Sequence, residues 1–123
     1  MRNGFLALFL LALGCGPRFE PAALHGRWQA NAVLEEGTPL RIDPTAVRFE
    51  FDPRGQYSYQ STLNYREAGH YALERDLLIT TDTTQPAAVA KRVQILHLTP
   101  DSLYLGMNDA GKARTMYLYR IGK

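Results

Sequence analysis

The sequence predicts an all-β fold, a small antiparallel up-and-down barrel of eight strands behind an N-terminal signal peptide. Three observations predict it. Past residue 25 no segment keeps the 3.6-residue apolar period of an amphipathic helix. Short runs of alternating apolar and polar residues recur instead, most of them closed by Gly, Pro, Asn or Asp. Eight such runs with short connections imply consecutive antiparallel neighbours. A sheet of that many strands closes on itself or folds into two packed layers. Closure removes exposed edges, which are otherwise templates for aggregation, so a barrel is the first choice and a sandwich the second.

The signal peptide comes first along the chain. Arg2 supplies a positive start, and residues 5–13 are nine unbroken apolar positions. A bilayer span needs about 20 such residues, whereas about 7–15 suit the apolar centre of a signal peptide. The segment ends Leu11-Ala12-Leu13-Gly14-Cys15, which resembles the bacterial lipobox although Ala12 and Leu13 are not its commonest residues. The resemblance implies a diacylglyceryl group on the Cys15 thiol, cleavage after Gly14 and acylation of the new amino group. An ordinary secretory signal or an uncleaved anchor is the alternative. Cys15 is the single cysteine, so no intramolecular disulfide and no CxxC pair can form. Gly16 stands where an Asp would favour the inner membrane, so the resemblance implies an outer-membrane lipoprotein in either leaflet. The expected organisation is a signal peptide at 1–14, an extended tether at 15–24 carrying lipidated Cys15, and a barrel domain at 25–123.

The first strand is read at residues 27–33 and is broken by Glu36-Gly37-Thr38-Pro39. One helical turn is expected around Pro44-Thr45-Ala46. Residues 47–52 alternate most clearly, with Val47, Phe49 and Phe51 on one face and Arg48, Glu50 and Asp52 on the other. Asp52-Pro53-Arg54-Gly55 suits a type I turn into the strand 56–61. Residues 67–73 form a fourth strand, where Gly69 suggests a bulge or a sharp bend. Strands at 77–81, 91–98, 103–107 and 113–121 follow, separated by Thr83-Thr84-Gln85-Pro86, Thr99-Pro100-Asp101-Ser102 and Asn108-Asp109-Ala110-Gly111.

Gly26-Arg27-Trp28 resembles the Gly-x-Trp motif that opens the lipocalin barrel, and residues 117–121 resemble its last strand with Arg120. Between them, Phe49 to Phe51, the Asp52 to Gly55 turn, Tyr57 to Tyr59, Gly69-His70-Tyr71 and the run from Leu98 to Leu103 keep the order seen in the lipocalin-like domains of bacterial lipoproteins. The resemblance implies a barrel plug made by Gly26, Trp28 and Arg120. A guanidinium over an indole contributes roughly 0.5–2 kcal/mol. The chain departs from true lipocalins in being shorter and in lacking a helix after the barrel. A barrel of eight short strands holds its own side chains or one small ligand.

Formal charge is +2, or +1 once residues 1–14 with Arg2 are removed, and Lys91-Arg92 is the one adjacent basic pair, so nucleic acid is not an expected partner. His25, His70 and His97 have no metal-ligand spacing, and no nucleophile motif or phosphate loop occurs. Neither a catalytic residue, nor a metal, nor a cofactor is therefore expected. The aromatic residues are the one constellation with chemistry. Alternation turns Phe49, Phe51, Tyr57 and Tyr59 to one face of neighbouring strands, and Tyr71, Tyr104 and Tyr117 recur nearby. These seven are candidate ligand-binding residues, able to stack on an apolar ligand while hydroxyls orient it. Core packing is the plainer reading of the same rings. Two functions remain: a membrane-anchored module binding a small hydrophobic ligand, or a structural or protein-interaction lipoprotein with a filled barrel. The oligomeric state is left open.

Overall fold

Period-two alternation, which asks each strand to bury one face, is satisfied here by closing the sheet around a single core. A computed structural model describes residues 18–123. The strands are β1 (Gly26–Glu35), β2 (Thr38–Pro39), β3 (Arg48–Phe51), β4 (Gln56–Gln60), β5 (Arg66–Glu74), β6 (Leu77–Asp82), β7 (Val89–Leu98), β8 (Ser102–Asp109) and β9 (Lys112–Gly122). Each of β3 to β8 pairs antiparallel with the next, β1 pairs with β3, and β1 also pairs with β9. This is a closed eight-stranded barrel, not the alternative sandwich. The two-residue β2 is an addition to the expected set. It folds back on the end of β1, with Glu35 opposite Thr38 and Leu34 opposite Pro39. Its Pro39 hid it as a plain break, yet an edge tolerates a residue without an amide hydrogen.

Local chemistry sets the turns. Asp52 Oδ1 accepts from the amides of Arg54 and Gln56, both at 2.9 Å, and so aims β3 into β4. The turn at Pro44–Ala46 is a 3-10 helix whose cap, Asp43, accepts from the Thr45 amide at 3.0 Å. Gln29 anchors that connection: its side-chain amide donates to the carbonyls of Pro44 and Val47, each at 3.1 Å.

Two expectations need correction. Gly69 does not mark a bulge, because its pairing with Tyr57 and Asp82 runs in unbroken register. A glycine is needed there for room: a Cβ would lie 1.8 Å from the Thr81 carbonyl oxygen. The register shifts fall instead between Ile95 and His97 of β7, and at two places where β1 meets β9. The end of the expected extended tether is also different. Pro21–Leu24 forms a 3-10 turn, and Leu24 is fully buried. The Trp28 indole N–H donates to the Leu24 carbonyl at 2.9 Å, which draws that residue into the core.

The barrel therefore has two unlike ends. The turns after β3, β5 and β7 lie at the Trp28 end, together with the start of β1 and the end of β9. The turns after β1, β4, β6 and β8 lie at the opposite end.

Candidate functional site: the barrel mouth

At the Trp28 end the barrel is shut. Trp28, Phe51, Leu103 and Leu118 are buried there under Leu24. The Arg120 guanidinium carbon lies 4.2 Å from the Trp28 ring centroid. Arg120 also donates to the carbonyls of Pro100 (2.6 Å), Ala23 (2.9 Å) and His25, tying three segments across the opening. Gly26 sits beneath this clasp with φ +124°, and a Cβ there would meet Arg120 Nη1 and the Gly122 carbonyl at 2.5 Å. The structure thus brings Gly26, Trp28 and Arg120 together.

The opposite end holds a cavity of about 520 Å³. Phe49, Tyr59, Leu78, Val93, Met107 and Met116 form its apolar wall. Tyr65, Glu67, Lys91, Asp109 and Arg114 are among the polar residues that also line it. Ligand pockets usually measure about 300–1,000 Å³, with an apolar lining and a few placed polar groups, and this cavity has both properties.

The polar groups are paired among themselves. Glu67 is only 4% exposed. Its carboxylate accepts from the Tyr57 hydroxyl (2.7 Å), the Tyr65 hydroxyl (2.6 Å) and the Lys91 ammonium (2.9 Å). Burial alone would raise the Glu67 pKa, but the hydrogen bonds from Tyr65, Lys91 and Tyr57 outweigh it and hold the group below its ordinary value. The same contacts raise the other partners. Tyr57 is pushed up by burial and by Glu67, and Tyr65 by its bond to Glu67 and by burial. For Lys91 burial works the other way, and the nearby carboxylate still raises it. Across the mouth, Arg114 donates to Glu35 at 2.7 Å and pairs with Asp109 at 3.0 Å. Its Nε is buried without a partner.

The seven aromatic candidates divide into three groups. Phe49 and Tyr59, with ring centroids 4.6 Å apart, line the cavity. Phe51, Tyr57 and Tyr71 are buried inside the barrel but fill it instead of lining the opening. Phe51 stacks on Phe49 at 5.4 Å and meets Tyr71 edge-on at 5.1 Å, while the Tyr71 hydroxyl donates to the Asp52 carbonyl at 2.8 Å. Tyr104 and Tyr117 are a correction: they lie on the outer face. Leu103 and Leu105 on β8, and Met116 and Leu118 on β9, take the inward positions, and alternation sends the tyrosines between them outward. There Tyr104 stacks on His97 at 4.5 Å and meets Tyr117 at 4.7 Å. Cys15 and the signal peptide at 1–14 lie outside the described residues.

Glu67, Lys91, Tyr65 and Arg114 are absent from the sequence-based candidates. Two of them were legible. Glu67 shares a face with Gly69 and inward Tyr71, and Lys91 shares one with inward Val93 and Ile95. A charged side chain on a strand ordinarily belongs to the solvated face, and that conceals both. Tyr65 sits in the loop after β4, where alternation carries no signal. Among the described residues no group of three or more His, Cys, Asp and Glu side chains could hold a metal ion.

A closed antiparallel barrel of eight strands, stoppered at one end by a tryptophan under an arginine and open at the other, is a lipocalin-like fold. Among solved structures, a lipocalin-like protein from Bacteroides uniformis ATCC 8492 is similar to this chain, with a TM-score of 0.61 and 17% sequence identity over 80% of this chain and 99% of that one. At that identity the likeness is one of fold. No protein-family profile matches the sequence, and no curated protein does.

Proposed function

We propose that this protein is a cell-envelope lipoprotein, held in the outer membrane by acyl chains on Cys15, whose barrel binds a small hydrophobic ligand at its mouth. It acts as a binding module and not as an enzyme. The observation that carries the reading is the cavity of about 520 Å³ at the end opposite Trp28. It is apolar below, where Phe49, Leu78, Val93 and Met116 meet, and polar at the Glu67 and Lys91 level. A ligand with an apolar body and one hydrogen-bonding group fits that gradient. The second reading, a filled barrel with a structural or protein-interaction role, draws on the Trp28 half, where Phe51, Leu103 and Leu118 leave the core packed.

The test is native mass spectrometry of the purified protein, followed by titration with Nile red, a neutral apolar dye. A co-purified small molecule, or saturable one-site dye binding lost in Val93→Trp, supports the ligand reading. Neither a bound molecule nor saturable dye binding in a folded wild type leaves the filled barrel.

A further inference from the structure

The short chain between the anchor and the barrel dictates which end faces the membrane. Arg18 is the first described residue, and Phe19 is already fastened to the barrel. Its side chain packs against the core, and its amide donates to the Arg75 carbonyl at 3.4 Å. Arg75 lies in the turn between β5 and β6, at the closed end. The next segment, Pro21–Leu24, caps that same end through the Trp28 and Arg120 bonds. From Cys15 to Phe19 is four residues, which span at most about 14 Å fully extended.

The barrel is longer than that reach. A ten-residue strand such as β7, rising about 3.3 Å per residue and tilted by about 40°, covers roughly 25 Å along the axis. A Cys15 tied to the closed end by about 14 Å of chain cannot reach the plane of the mouth.

We infer that the closed, Trp28 end of the barrel is held against the anchoring membrane and that the mouth opens toward the aqueous compartment. This rests on acylation of Cys15. The ligand of the mouth then enters and leaves through water, or from a carrier or surface facing the mouth, and does not slide in from the bilayer that holds the protein.

Two exposed positions report the two ends. Arg54, whose side chain is 83% exposed, lies in the turn between β3 and β4 at the closed end. Leu63, 99% exposed, lies in the loop between β4 and β5 at the mouth. Cys15 is the single cysteine and its thiol is consumed by the lipid, so Arg54→Cys or Leu63→Cys in the full acylated chain takes one fluorophore. The proteins are reconstituted into vesicles of phosphatidylethanolamine and phosphatidylglycerol doped with a nickel-chelating lipid that quenches at the surface. The expected result is several-fold stronger quenching at position 54 than at 63. A Gly/Ser insert of about 20 residues between Pro17 and Arg18, with a mean reach of about 25 Å, should bring the two signals together. Equal quenching with the natural tether, or stronger quenching at 63, overturns the orientation while leaving the anchor intact. A wild type that does not sediment with the vesicles overturns the anchor, and the orientation with it.

Discussion

Replacing Trp28 by Ala tests the closed end, because three interactions meet on one side chain. Trp28 is fully buried, its indole donates to Leu24 at 2.9 Å, and Arg120 covers its face at 4.2 Å. Truncating a buried large aromatic costs about 3–5 kcal/mol in lost transfer energy and cavity. The Leu24 carbonyl loses its donor as well, and an unsatisfied buried acceptor costs about 1–3 kcal/mol. The terms do not add fully, since the vacated space admits water to that carbonyl and Arg120 keeps its own backbone acceptors. A total of about 4–5 kcal/mol is expected, a large part of the 5–15 kcal/mol or so that holds a small domain together. With a urea slope of about 1–3 kcal/mol per molar, the midpoint should fall by roughly 2 M. Trp28→Phe keeps one six-membered ring but loses the N–H and part of the fused ring, so it should cost less than the Ala truncation, about 2–3 kcal/mol. Unfolding is followed by circular dichroism, since Trp28 is the one tryptophan and the variants lose its fluorescence. A Trp28→Ala midpoint within about 0.5 M of wild type would refute the reasoning. So would a Phe variant as unstable as the Ala variant.

Further outcomes follow from the same geometry. Gly69→Ala should destabilise by about 1–3 kcal/mol or more, because the new methyl would sit 1.8 Å from a backbone oxygen with no side chain to yield; a wild-type urea midpoint would contradict it. Glu67 has its folded pKa below the ordinary value of 4.5, so the stability it contributes is present above that value and is lost as pH falls through the folded pKa. Acid unfolding curves of wild type and Glu67→Gln should therefore converge as pH falls below 4.5 and on through the folded pKa, and parallel curves would show that the carboxylate is not held as described. Tyr117→Ser, on the outer face, should leave Nile red affinity unchanged, and a large loss would place the dye outside the mouth. Cys15→Ser should abolish labelling by a radioactive fatty acid in the producing bacterium, whereas equal labelling of both proteins would remove the acylation reading.

Alternation by itself determined the barrel strands and which face of each turns inward where the period runs unbroken. Phe49 and Phe51 point in because Arg48 and Glu50, which alternate with them, cannot be buried unpaired. Asp52 and Gly55 announced their turn, and Trp28 with Arg120 announced the closed end, through resemblance and through the physics of a cation over an indole. Tertiary structure alone decided the rest. Alternation puts Tyr104 and Tyr117 on the face opposite Leu103, Leu105, Met116 and Leu118, and only closure of the barrel decided that the second set faces the core. The wall also decided Glu67: a carboxylate belongs inside only when donors from β4, the following loop and β7 converge on it, 10, 2 and 24 residues away in sequence. The cavity is likewise a property of closure. Its wall residues lie on strands β3 to β9, and only the pairing of β1 with β9 makes them face one another. Local sequence encodes the faces of strands, while a lumen exists only once distant faces are curled around the same space.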